Sequence, residues 1–317
     1  MTDVRLTIII PAHNPESGRL RRVIAGLGAQ TVPPDTCEIL VVDNASNPPL
    51  SFASIAAETP AGVRIVREET LGLTAARLRG FAEARGDLFV LVDDDNVLAR
   101  DYLENAARCF AADARLGAAG GRCLPDFESP PPSWTREFDG LLALRDLGDQ
   151  PERESWETAT ERVYPRCAPV GAGLVLRRAA AEAYAAALAA DPRRRAFDRA
   201  GSQLVSGGDN DLVMTTLEAG YAVAYRPELA LTHLIPIRRI QRAYLGALNR
   251  AIARSWVRVL AIHGIVPWPP ISRGTVGLRQ ARAWVRARAW RGPAQWVRWQ
   301  AACGTFEGRA DLSSFSS

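Results

Sequence analysis

The chain has 317 residues, 47% of them apolar and 23% charged, with a net charge of +4. That is enough for one large α/β domain plus an extension, and it excludes a disordered or fibrous protein. Five scattered cysteines, never spaced C-x-x-C, exclude a disulfide framework or a structural zinc site and fit a reducing cytoplasm.

The first apolar run, Leu6–Ile10, starts with no basic leader or small-residue cleavage site before it. No run reaches the roughly 18 apolar residues of a membrane span, so a cytoplasmic location is expected. Leu6–Ile10 predicts a buried strand ending at Pro11. Leu20, Val23, Ile24 and Leu27 then recur at helical spacing over 19–29. Strands follow over 38–42 and 63–66. Thr74 reads as the N-cap of a helix running to Ala84. Leu88–Val92 is a fourth strand that runs into Asp93-Asp94-Asp95, and a helix over 101–112 and a strand over 118–123 follow. Residues 125–165 are Pro-rich and aperiodic, an excursion over the sheet edge. Regular structure resumes with Val170–Leu176, an alanine-rich helix over 179–190, a helix opening at Gly207-Gly208-Asp209-Asn210-Asp211, and strands near 222–225 and 230–233.

Strands alternating with helices at this spacing imply a mainly parallel sheet covered on both faces. Ligands bind beyond the carboxyl ends of such strands. Here those ends carry Pro11–Asn14, Asp43-Asn44 and Asp93–Asp95. Three consecutive carboxylates at a strand end raise one another's pKa or recruit a cation. All-oxygen ligation suits Mg2+ or Mn2+ shared with substrate phosphates. A solvated acidic turn is the alternative. His233, one of three histidines, follows the run Leu229–Leu231. It is a competent further ligand for Mn2+, or else a packed histidine at a strand end.

In this order, IIIPAHN, VVDNAS, LGLTAARLRG, LFVLVDDDN, VGAGLVLRR and GGDNDLVMTTLEAGY resemble the motif series of the family 2 glycosyltransferases with the GT-A fold. The resemblance covers roughly residues 5–236. It implies an α/β fold with a GT-A-like, mainly parallel sheet, flanking helices and a C-terminal basic helical extension. It also implies that Pro11, His13, Asn14, Asp43 and Asn44 hold the base and ribose of a nucleoside-diphosphate sugar. Asp93, Asp94 and Asp95 match the D-x-D element, whose last carboxylate binds the metal. Arg77 matches the Ala-Arg pair that supports the nucleotide, although Leu78 replaces the family's usual Asn. His13 could instead cap a turn, and Arg77 could be an ion-pair partner of the aspartates. Gly171, Ala172 and Gly173 fall beside donor sugar and acceptor, where glycines otherwise mark only a bulge. Asp209 aligns with the family's catalytic base, with Gly208 standing where Glu is usual, and Asp211 competes for the role.

After Glu228 there is no acidic residue until Glu307, while Arg238 to Arg298 contributes thirteen arginines. Leu245, Leu248, Ile252, Trp256, Val259 and His263 recur at helical spacing opposite Arg242, Arg250, Arg254 and Arg258. Leu278, Ala281, Trp284 and Val285 repeat the pattern against Arg279, Arg282 and Arg286. Such Trp-rich basic helices suit an anionic membrane surface; docking on the catalytic domain and a dimer seam are the alternatives. No nucleic-acid module accompanies the charge.

The expected organisation is a catalytic domain over 1–237 and a helical tail over 238–317. The expected reaction is inverting transfer of a sugar from a nucleoside diphosphate to the hydroxyl of a glycan, lipid-linked or small-molecule acceptor, with Mn2+ or Mg2+. The rivals are a sugar-1-phosphate nucleotidylyltransferase, disfavoured by PAHNPES where that class carries a Gly-rich signature, and an idle sugar-nucleotide-binding or membrane-recruiting protein.

Overall fold

A computed structural model describes residues 5–55, 62–157, 159, 161–199, 201 and 203–312. In chain order the elements are β1 (Leu6–Ala12), α1 (Ser17–Gly28), β2 (Cys37–Asn44), α2 (Phe52–Ile55), β3 (Val63–Glu68), α3 (Leu73–Glu83), β4 (Leu88–Leu91), β5 (Asn96–Leu98), α4 (Tyr102–Ala112), β6 (Leu116–Gly120), β7 (Cys123–Phe127), β8 (Glu152–Ser155), β9 (Leu174–Arg177), α5 (Arg178–Ala190), α6 (Gly208–Glu218), β10 (Ala222–Tyr225), β11 (Leu231–Ile235), α7 (Arg242–Ile262), α8 (Val276–Arg286) and α9 (Pro293–Asp311). The residues gather into two compact units. The first comprises 1–126, 143–192 and 212–234; the second comprises 127–142, 193–211 and 235–317.

The first unit is built on an eight-stranded sheet of order β3-β2-β1-β4-β9-β6-β10-β8. β3, β2, β1 and β4 run parallel, and so do β6 and β10. β9 and the edge strand β8 run against their neighbours, so the sheet is mostly parallel, as expected. Successive strand residues point to opposite faces. Ile8 and Ile10 accordingly meet α1 and α4 through Leu20, Ile24, Leu103 and Phe110. Ile9 and Leu91 meet α3, α5 and α6 through Ala76, Phe81, Tyr184 and Leu212. Two hydrophobic layers therefore clamp the sheet and hold its strand ends in register.

Two local expectations are corrected. Thr74 is the second residue of α3 and buried, while Gly72 is the N-cap at φ 144. A residue with a Cβ rarely adopts that conformation, so glycine takes the cap. Residues 125–165 are not wholly irregular, because β8 adds an antiparallel edge to β10. Its sequence, Glu152-Arg153-Glu154-Ser155, lacks an apolar run because an edge strand is half-solvated, and its charges guard the open edge.

In the second unit α7 and α9 pack together. The apolar stripe expected on α7 buries Leu245, Leu248 and Val259. Arg250 pairs with Glu307 and Arg254 with Asp311. Gly304 and Gly308 of α9 lie against the backbone oxygens of Arg250 and Arg254, where a Cβ would stand 2.0 and 2.8 Å away. Small residues there let the two backbones approach.

Candidate functional site

The site in the first unit forms where the sheet topology ends several strands at one edge. Pairing of Ile9 with Leu91, and of Ala12 with Asp43, sets the ends of β1, β2 and β4 side by side. Because β9 is antiparallel, its beginning rather than its end lies there: Leu174 pairs with Leu91. Gly171-Ala172-Gly173 is therefore delivered beside Asp93. β11 pairs antiparallel with β5 and sets His233 opposite Asn96. The backbone N–H of Leu234 donates to the carbonyl of Asp95 at 2.8 Å, fixing the two chains locally.

Asp95 and His233 are both 4% exposed, and Asp95 Oδ1 stands 3.5 Å from His233 Nε2. Asn96 Nδ2 donates to the same carboxylate oxygen at 3.2 Å. Asn96 Oδ1 is buried with no hydrogen-bond partner among the described residues. A carboxylate oxygen, an imidazole nitrogen and an orphaned amide oxygen form a donor set that fits Mn2+ or Mg2+. Among the described residues no three His, Cys, Asp or Glu side chains form a complete cage. Asp93 and Asp94 are half-buried beside Asp95. The Cys123 thiol is pushed up to about 12, first by burial and then by the charges of Asp93 and Asp95. Adjacent carboxylates are the kind of site whose charge a cation neutralises.

The other expected donor residues form a bonded lattice across β1 and β2. His13 Nδ1 donates to the Asn44 carbonyl at 2.7 Å, which leaves Nε2 to accept from Asn14 Nδ2 at 3.1 Å. Asn14, at φ 45, accepts from the Asn47 N–H, while its own N–H donates to Ser46 Oγ. Asn44 donates to the carbonyls of Glu68 and Thr70 and accepts from the Gly72 N–H. Pro11 is half-buried in β1, opposite Val42. Arg77 is 2% exposed in α3.

Arg67 went unnoticed in the sequence, yet its Nη1 lies 2.6 Å from Asp43 Oδ2. Arg67 is the register partner of Asp43 on the neighbouring strand, a pairing of distant segments that no local pattern shows. Burial would raise the Asp43 pKa, but hydrogen bonds from the Ser46 hydroxyl, Arg67, and the Leu50 and Ser46 N–H groups bring it below the usual 3.8. A lowered carboxylate pKa stabilises the fold above the unfolded value, and that contribution is lost as pH falls through the folded one. Asp43→Asn is therefore expected to cost about 2 kcal/mol at neutral pH. The difference from the unsubstituted protein should close below about pH 3.8 in urea titrations at several pH values. A pH-independent difference would assign Asp43 a packing role only.

Gly173 adopts φ +69, and a Cβ on it would stand 2.4 Å from Leu231 Cδ2 and 2.9 Å from the Tyr102 hydroxyl. Tyr102, 0% exposed, donates that hydroxyl to the Gly173 carbonyl. The glycine is required twice, by conformation and by space. Gly173→Ala is expected to lower stability by about 2–4 kcal/mol, from left-handed strain plus overpacking. Denaturant unfolding measures it, and a change under 1 kcal/mol would show that the turn relaxes freely.

Asp209 and Asp211 open α6 and belong to the second unit. Asp209 is half-buried. Asp211 is 0% exposed, doubly bonded by Arg194 Nε and Nη2, and 2.9 Å from His263 Nε2. His263, expected on an apolar stripe of the tail, thus joins a buried ion network. At Gly208, the position where the family usually has Glu, a Cβ would meet the Asp198 carboxylate at 2.2–2.4 Å. Asp198 is 5% exposed and fills the space a side chain at 208 would need. Neither Arg194 nor Asp198 carried a sequence signal, since both precede the helix in an irregular stretch.

The sequence model described as "Glycosyl transferase family 2" matches residues 7–167, just over half of the chain. The chain belongs to that family. It is 33% identical over 106 residues to "Succinoglycan biosynthesis protein ExoW" of Rhizobium meliloti (strain 1021). That match spans 32% of this chain and about a third (33%) of the relative's own length. Among solved structures, "Mannosyltransferase PcManGT from Pyrobaculum calidifontis in complex with GDP-Man and Mn2+" superposes with a TM-score of 0.53. It is 17% identical, over 99% of this chain and 79% of that one. The architecture is thus that of a GT-A glycosyltransferase: a large, mostly parallel sheet with flanking helices. "S. aureus TarS 1-349" gives a TM-score of 0.48 at 13% identity, over 98% of this chain and 92% of that one.

Proposed function

We propose that the protein is a metal-dependent, inverting glycosyltransferase that moves a sugar from a nucleoside diphosphate to an acceptor hydroxyl. The observation that carries this reading is the buried Asp95–His233 pair at the carboxyl edge of the sheet, 3.5 Å apart beside the orphaned Asn96 oxygen. Family membership supports it, as do the GDP-Man and Mn2+ named for the similar mannosyltransferase. The name of the matched relative supports a bacterial surface glycan or glycolipid as product. In this reading the catalytic domain spans 1–237 and the basic tail 238–317. The five cysteines are free, which agrees with the cytoplasm, and the basic tail agrees with work at the inner face of an anionic membrane.

Pro11, His13, Asn14, Asp43, Asn44 and Arg77 shape the nucleoside pocket, and Asp93 and Asp94 flank the diphosphate. Asp95 and His233 hold Mn2+ or Mg2+, whose charge when bound stabilises the departing diphosphate. Gly171, Ala172 and Gly173 leave room for donor sugar and acceptor. Asp209 takes the proton from the acceptor oxygen as that oxygen bonds to the anomeric carbon. The sugar–phosphate bond opens on the opposite face, which inverts the configuration. The loss of the usual Glu at Gly208 favours one rival, a sugar-nucleotide-binding protein without turnover. A donor-hydrolysis and transfer screen across UDP-, GDP- and dTDP-sugars with Mn2+ or Mg2+ decides between them. Metal-dependent binding without hydrolysis or transfer of any donor would favour the rival.

A further inference from the structure

We propose that the outward face of α8, together with Trp290, is the surface by which this protein rests on an anionic lipid bilayer. The inference rests on the membrane-surface reading above and assigns it to one helix. An amphipathic helix in a water-soluble protein normally turns its apolar stripe inward. α8 does the reverse. None of its residues is buried. Val276, Gln280 and Ala283 are its half-buried side, and this side faces α9, with the Gln280 carbonyl accepting from Trp299 Nε1 at 2.9 Å and its Nε2 donating to Glu307 at 3.1 Å. The stripe left to solvent is Leu278, Ala281 and Val285, spaced i, i+3, i+7, with Leu278 57% and Val285 60% exposed. Trp284 and Trp290, 39% and 54% exposed, pack at 4.8 Å between centroids beside it.

The charges around this face are uncompensated. Arg282, Arg286, Arg288 and Arg291 are exposed and have no ion-pair partner among the described residues. Two arginines of α7 differ, since Arg250 and Arg254 are paired with Glu307 and Asp311, and the α7 stripe has Leu245, Leu248 and Val259 buried with Ile252 and Trp256 half-buried. Among the described residues, an exposed apolar stripe flanked by unpaired arginines is therefore found on α8 and not on α7. Charge complementarity selects the occupant. Nucleic acid would satisfy the arginines but leave the apolar stripe in contact with phosphates. A second copy docked on the same face would bring like charges together. An anionic bilayer takes both: Leu278 and Val285 enter the acyl boundary, the tryptophans lie at headgroup depth, and the arginines extend to lipid phosphates. Among the described residues no helix is long and apolar enough to cross a membrane, so the contact is a surface one.

The test uses the full chain and sedimentation with phosphatidylglycerol–phosphatidylcholine vesicles. The unsubstituted protein should bind these vesicles, release at high salt and ignore pure phosphatidylcholine. Leu278→Glu with Val285→Glu, and separately Arg282→Glu with Arg286→Glu, should each reduce vesicle affinity tenfold or more while melting curves stay unchanged. Absence of binding by the unsubstituted chain, or equal binding by either double variant, overturns the proposal. So does a dimer that Leu278→Glu with Val285→Glu dissolves in sedimentation-velocity runs, since the face is then a self-seam. Donor hydrolysis in solution, read on the same preparations, separates this from the transferase reading. Active protein that ignores vesicles sinks the surface alone; inactive protein that binds them sinks only the transferase.

Discussion

Asp95→Ala is expected to reduce Mn2+-dependent binding of a nucleoside diphosphate by at least about 100-fold while leaving metal-free binding nearly unchanged. Loss of a partner one step removed from a metal already costs about 10–100-fold, and Asp95 is proposed as a direct ligand. Its carboxylate is buried, receives Asn96 Nδ2 and faces His233 at 3.5 Å. The cost to the fold should be small. Asn96 loses one buried partner, worth about 1–3 kcal/mol. Calorimetry with and without Mn2+ reads the effect, and unchanged affinity in the presence of metal would falsify the assignment. His233→Ala should lose less, about tenfold, because the carboxylate and the diphosphate oxygens remain. If its Mn2+ affinity equals that of the unsubstituted protein, His233 only packs against Asp95.

Asp209→Asn is expected to retain donor binding and lose roughly 10²- to 10⁴-fold in turnover, the scale for removing a general base. Asp211→Asn should behave in the opposite way. Its carboxylate is wholly buried between Arg194 and His263. Neutralising it weakens the buried pair with Arg194, at a cost of up to about 3–5 kcal/mol. Residual turnover of the folded fraction should then stay within a few-fold of normal. The physical distinction is access: a base must reach a substrate proton, and a wholly buried carboxylate held by Arg194 and His263 is shut away from one. Melting curves and transfer rates on both variants separate the roles. A stable but inactive Asp211→Asn beside an active Asp209→Asn would reverse them. A stability loss of about 0.5–2 kcal/mol in Asp209→Asn with turnover preserved would make it a helix-terminus residue only.

The strands that carry the site could be read from the chain because Leu6–Ile10, Glu38–Val42 and Leu88–Val92 are short apolar runs, each closed by a polar cluster. Burial on both faces of a sheet leaves that pattern in any sequence. The same runs place Asp43 and Asp93–Asp95 at one edge from sequence alone. What the runs could not give was strand direction. β9 is as apolar as its neighbours, and only its antiparallel pairing with Leu88–Leu91 delivers Gly171–Gly173 to the carboxylates. Pairings between distant segments were likewise out of reach of local patterns: Arg67 with Asp43, Asp198 at Gly208, and His263 with Asp211. α9 lies within the tail expected to be helical, although Gly304 and Gly308 weaken its local helix signal. Those glycines are favourable only once α7 lies against them, with the Arg250 oxygen 2.0 Å from where a Cβ would be. Amphipathic spacing marked both α7 and α8, because periodicity records which residues share a face. Which way that face turns depends on the neighbour available to cover it. α9 covers the stripe of α7 and leaves that of α8 in solvent, a choice that only tertiary packing makes.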